Sequence, residues 1–123
     1  MRQAKKEPKR EHRIVNEIIV DAYGPEEQAM GWYYYLEDKL RFPFTAHCIV
    51  ERAISPLRKG DKVEIVGMAP EEECEHEMFV ETCWDRRTLA IPLSQLQPVA
   101  ATHKETREAV ADWHYWVKRG YEL

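Results

Sequence analysis

Residues 70–79 read PEEECEHEMF, with Glu71, Glu72, Glu73, Glu75 and Glu77 crowded around Cys74 and His76. Carboxylates packed this closely raise one another's pKa by repulsion, and a divalent cation relieves it. Their hard oxygens suit Ca²⁺ or Mg²⁺ better than softer metals. The same run also reads as a solvated hairpin tip that keeps strand edges from pairing with other chains. A second acidic pair, Glu37 and Asp38, ends the aromatic segment GWYYYLEDKL. Adjacent helical residues point about 100° apart, so these two share an ion only at a helix end, with help from 71–77 or Asp85. Glu26 lies on the same stretch, roughly 16 Å of helix before Glu37. One ion cannot touch both, and Asp21, Glu26 and Glu27 form a separate acidic patch.

Other chemistries find less support. The 12-residue EF-hand loop, with alternating oxygen ligands, a central Gly and a terminal Glu, is not matched. A zinc site drawn from Cys48, Cys74, His76 and Cys83 meets unfavourable spacing: Cys74 and His76 have one intervening residue, and Cys48 and Cys83 fall on predicted strands. His47 and His76 are conceivable acid/base groups. However, no Ser or Cys sits in a nucleophile elbow and no His/Asp spacing supports a triad, so the expectation is not an enzyme. Trp113-His114-Tyr115-Trp116 puts aromatics on several sides of a helix, about half of them for the core. Any surplus is a docking face for a partner.

The elements that must position these residues follow from periodicity. Residues 11–22 read as a helix, with Ile14, Val15, Ile18, Ile19 and Ala22 on one face. A second helix runs over 25–40, with Gly24 as N-cap, Pro25 at its first position and Glu26 and Glu27 on the positive end of its dipole. Its inward stripe is Ala29, Tyr33, Leu36 and Leu40, and Pro43 prevents continuation. From Phe44 the period changes to that of strands: 45–51, 59–68, 77–84, then 88–93 after a tight turn at Asp85-Arg86-Arg87. A short helical turn at Ser94-Gln95-Leu96 precedes a last strand at 97–100. Thr102 and Glu105 form a capping box for a helix over 103–119, which Gly120 ends. Short strands with these turn signals predict an α+β domain: a small antiparallel β-barrel, similar to Src-homology-3-like barrels, with two N-terminal helices and one C-terminal helix.

At 123 residues the chain is one domain, without an apolar run long enough for a membrane span. Residues 1–13 hold six Lys/Arg against two acids and residues 14–82 hold 15 acids against six basic residues. The acidic middle repels nucleic acid and concentrates cations. Residues 1–10 read as a disordered basic arm ahead of a domain at 11–123. That arm precedes no apolar stretch with a cleavage site, so it is not a secretory signal. Cys48, Cys74 and Cys83, odd in number and irregular in spacing, suggest reduced thiols in the cytoplasm.

GWYYYLEDKL with the FPF after it, GDKVEIVGM, ECEHEMFVE, RTLAIPLSQL and DWHYW together resemble the CcbP-type calcium-binding protein family over roughly residues 11–123. The resemblance implies Ca²⁺ held by surface carboxylates without an EF-hand and, in cyanobacteria, buffering of free calcium during heterocyst differentiation. It carries over to Glu37 and Asp38 and to the acids between Glu71 and Glu77. The leading expectation is therefore non-enzymatic calcium binding, as buffer or sensor. The competing one is a protein-interaction module using the small barrel and the aromatic C-terminal helix, with the acids only for solubility.

Overall fold

In the computed structural model, which describes residues 6–121 and 123, the chain is already helical at Pro8. Helix α1 comprises Pro8–Arg13 and continues as a π-helical stretch, Ile14–Ile18, closed by a hydrogen bond from Ile19 N to Ile14 O at 2.9 Å. Of the expected arm over 1–10, residues 1–5 lie outside the described residues, and Pro8–Arg10 belong to the helix. Pro8 suits a first helical turn, where its missing N–H costs nothing. The wider π turn changes the phase of the apolar stripe, so Ile14 and Ile18 are buried while Val15 is exposed.

Helix α2, Pro25–Lys39, begins at the expected Gly24 cap. Ala29, Tyr33, Leu36 and Leu40 are buried, and so is Trp32, which the stripe had omitted. At Gly31 the two helices touch backbone to backbone: a Cβ there would lie 2.3 Å from the carbonyl oxygen of Ile18. The strands are β1 (Phe44–Cys48), β2 (Lys62–Met68), β3 (Phe79–Trp84), β4 (Arg87–Pro92) and β5 (Leu96–Pro98), all paired antiparallel in the order β4-β3-β2-β1-β5. Asp85 and Arg86, both at positive φ, make the two-residue turn between β3 and β4. The end strands β4 and β5 do not pair, so the five-stranded sheet is open rather than a closed barrel. Strand β5 is three residues long and ends at Pro98, which has no N–H to extend a ladder.

A short 3-10 turn, Leu93–Gln95, leads into β5, and helix α3, Lys104–Lys118, follows. Its N-cap is His103, whose Nδ1 accepts from Glu105 N at 3.2 Å, in place of the expected Thr102 box. Gly120, at φ 87°, terminates it as expected. Trp32, Trp113 and Trp116 meet where α2 and α3 pack together, above a core of Ile65, Val80, Ile91, Leu93 and Leu96. Among the described residues no helix is long and apolar enough to cross a membrane.

His114 on α3 is buried, with Nε2 3.2 Å from the carbonyl oxygen of Leu93, and burial pushes its pKa below the ordinary 6.5. The fold therefore holds the neutral ring, whereas the unfolded chain takes up a proton near pH 6.5. The stability this residue contributes is complete above that pH and is lost as pH falls toward the depressed folded value. Melting temperatures of wild type and His114→Gln measured from pH 7.5 to 5 should converge toward the acid end. A constant difference would contradict the assignment.

Candidate cation site

The acidic run folds as a single 3-10 turn, Glu71–Cys74, between β2 and β3. Pro70 sets its entry, and Glu73 N bonds to Pro70 O at 2.9 Å. Cys74 is the internal anchor. It is buried, its Sγ lies 3.4 Å from Phe79 N, and burial pushes its thiol pKa up. With Cys74 inside, Glu71, Glu72, Glu73 and Glu75 are turned outward and are exposed. That combination of one buried thiol and four solvated acids explains why the run reads as a surface loop yet does not wander.

Helix α2 holds the turn from the other side. The buried hydroxyl of Tyr33 donates to the carbonyl oxygen of Ala69 at 2.7 Å, just before the turn. Burial, reinforced by the charges of Glu37, Glu71 and Glu72, pushes the Tyr33 pKa up to about 12. The nearby Glu71 carboxylate pushes the pKa of Tyr34, one residue on and exposed, up too. Between the helix and the turn lies a cavity of about 310 Å³, walled by Glu26, Met30 and Tyr33 from α2 and by Glu71, Glu72, Cys74 and Glu75 from the turn.

The expected ligands therefore divide. Glu71, Glu72 and Glu75 share the cavity, and Glu26, assigned from the sequence to a separate patch, joins them. Periodicity had measured Glu26 only against Glu37; the turn reaches the opposite end of α2. Glu37 is exposed on α2, close enough to act electrostatically on both Tyr33 and Tyr34. Asp38 lies 3.7 Å from Lys39 Nζ with its side chain 77% exposed. Glu73 is exposed and lines no part of the cavity. Glu77 is already compensated: Arg52 Nη1 donates to its Oε2, and Ser94 Oγ donates to the same oxygen at 3.1 Å. Asp85 sits in the β3–β4 turn, away from the cavity lining.

The donors at the cavity are carboxylate oxygens, the right class for a hard divalent cation. Among the described residues, however, no three His, Cys, Asp or Glu side chains converge as a metal-ligand group. The acids line the cavity without closing on a common point. They are exposed glutamates, so their side chains can change rotamer toward an ion. The zinc set does not assemble either: Cys48 is buried on β1, Cys74 in the turn, and Cys83 is exposed on β3. On α3, Trp113, Tyr115 and Trp116 are all buried, so the aromatic docking face expected of an interaction module is absent from that segment.

The geometry can be set beside known proteins. The family model for CcbP calcium-binding proteins, described as calcium binding, matches residues 12–117. The solved crystal structure of Anabaena CcbP is 41% identical, with a TM-score of 0.87 and 100% of both chains covered. A structure of a calcium-binding protein in its calcium-binding form is 42% identical, with a TM-score of 0.84 and 96% of both chains covered. Among curated protein sequences none matches. The match takes in α2, the acidic turn, all five strands and nearly the whole of α3, and the chain belongs to the CcbP calcium-binding family.

Proposed function

We propose that this protein binds Ca²⁺ non-enzymatically, without an EF-hand, in the cavity between α2 and the acidic 3-10 turn. The observation that carries the reading is the meeting of Glu26, Glu71, Glu72 and Glu75 around one cavity, in a chain 42% identical to a calcium-binding protein solved in its calcium-binding form. These four, with Glu37 at the margin, are the side chains that would hold the ion. Glu73 adds to the negative field around them, whereas Asp38 and Glu77 are paired with Lys39 and Arg52. A bound cation removes the mutual repulsion of the acids, and the turn tightens against α2. Side-chain ligands without a preformed centre favour modest affinity and fast exchange, which suits buffering better than sensing. Free Cys48, Cys74 and Cys83 support a reducing compartment such as the cytoplasm.

Calorimetric titration with CaCl₂ at physiological ionic strength should give saturable heat. Glu72→Gln should weaken binding about tenfold, the loss of one charged ligand being worth ~1.4 kcal/mol. Melting with 100-fold excess of calcium over Kd, against an EDTA control, should show about 2.7 kcal/mol of added stability. Silence up to millimolar calcium would leave the interaction-module reading in place, through a surface other than the α3 aromatics.

A further inference from the structure

The outer face of α2 carries apolar side chains between two rows of acids. With successive residues about 100° apart, Met30 and Tyr34 stand roughly 40° from one another around the helix. They are 52% and 49% exposed. Glu37 and Glu26 fall roughly 20–40° beyond Met30, and Glu27 and Asp38 roughly 20–40° beyond Tyr34. All four carboxylates are exposed. Asp38 is partly offset by Lys39 Nζ at 3.7 Å, whereas Glu26, Glu27 and Glu37 form no salt bridge among the described residues. Tyr23, just ahead of the helix, adds a ring that is 88% exposed. The stripe is also held stiff. Tyr33 is tied to the carbonyl oxygen of Ala69 at 2.7 Å, and the Tyr34 ring stands edge-on against it with centroids 5.9 Å apart.

Single exposed apolar residues need no explanation, but a Met–Tyr pair in helical register with acids on both sides is the complement of a basic amphipathic helix. We propose that this face of α2 docks such a helix from a partner protein, its apolar residues on Met30 and Tyr34 and its Lys or Arg side chains on the two carboxylate rows. Charge decides against the other occupants. Two copies paired about a twofold axis would set these acids against themselves, and nucleic acid or an anionic lipid surface carries the same sign. Glu26 and Met30 belong both to this face and to the wall of the cavity. A cation held in the cavity therefore neutralises part of one row, so calcium and the partner helix weaken each other's binding by the same factor. The docking stands without the calcium reading; only this coupling rests on it.

The probe is a fluorescently labelled amphipathic peptide of Leu and Lys, about 18 residues long so that it spans α2. Anisotropy titration with the full chain, in EDTA at physiological ionic strength, should saturate. A peptide of the same composition, shuffled out of helical phase, should bind about tenfold more weakly. Met30→Ser combined with Tyr34→Ser should weaken the amphipathic peptide about tenfold. Glu27→Gln should weaken it about threefold, and more at low salt. Glu51→Gln, in the loop at the opposite end of β2, should leave it unchanged. Saturating CaCl₂ should weaken the peptide severalfold. Equal binding of the shuffled peptide, or an unaffected double variant, overturns the inference, because charge alone then suffices. So does a protein that binds no peptide, even where calcium binds. A dimer in sedimentation velocity that the double variant abolishes gives the face to a second copy and also overturns it. Phase-dependent peptide binding in a protein that takes up no calcium upholds the docking face and overturns the calcium reading.

Discussion

Replacing Arg10 and Arg13 together by alanine should lower the stability of this protein by about 3–5 kcal/mol. Both arginines serve Asp112 on α3, whose side chain is fully enclosed. Its oxygens accept from Arg10 Nη1 at 2.6 Å, from Arg13 Nε at 2.9 Å and Nη2 at 2.6 Å, and from the Tyr35 hydroxyl at 2.7 Å. Hydrogen bonding to Asp112 raises the Arg13 pKa further above its already high value. Without the two guanidiniums, a buried carboxylate keeps one phenol as its partner, and the fold bears the cost of an uncompensated interior charge. The reverse deletion is milder. The arginine side chains are 18% and 32% exposed and can turn to water if Asp112 becomes leucine. Urea unfolding should therefore rank the double arginine variant well below Asp112→Leu. A double variant within 1 kcal/mol of wild type would refute the buried-charge argument.

Trp32→Ala should cost a comparable ~3–5 kcal/mol, the usual range for deleting a fully buried large aromatic. Trp32 has no exposed surface and meets Trp113 at 5.1 Å between ring centroids, Trp116 at 5.6 Å and Tyr35 at 6.0 Å. The cavity left by truncation cannot collapse easily, because Gly31 holds α1 and α2 at backbone contact beside it. The indole N–H of Trp32 has no hydrogen-bond partner among the described residues, a buried donor that the fold tolerates at a cost. Trp32→Phe removes that orphan together with part of the ring. Its loss should stay below about 2 kcal/mol, the smaller cavity being offset by the deleted polar atom. Guanidinium denaturation of both variants checks the ordering, and equal losses would show that the orphaned N–H carries no penalty.

Much of this arrangement was legible because its causes are local. Gly24-Pro25 starts α2 for reasons contained in those two residues, Gly120 ends α3 through its positive φ, and Asp85-Arg86 turns a hairpin whose flanking strands alternate. What sequence reasoning missed depends on partners far along the chain. Pro8 and the basic residues after it look like a solvated arm until Asp112 is placed beside them. Trp32 is enclosed because α3 covers a second flank of α2, which widens the buried arc beyond a single stripe. Glu26 joins the acidic turn through tertiary packing that no spacing along α2 reveals. Val15 was misplaced for a local reason that periodicity cannot see, the change of phase at the π turn. The open sheet departs from the barrel expectation because strand count and order do not fix closure; β5 is too short to reach a second partner.

The bonds between α1 and α3 join residues about a hundred positions apart, Arg10 to Asp112 and Glu11 to Tyr115 and Tyr121. During synthesis the first helix to leave the ribosome thus waits for the last one before its charges find their partners. Until then it is a short basic segment with two isoleucines facing water, too brief to hold helical form alone. Its bonds to α3 form only once that helix exists, because closing so long a loop repays its entropy only then. A nascent chain halted before residue 112 would leave its own beginning open to proteases and chaperones.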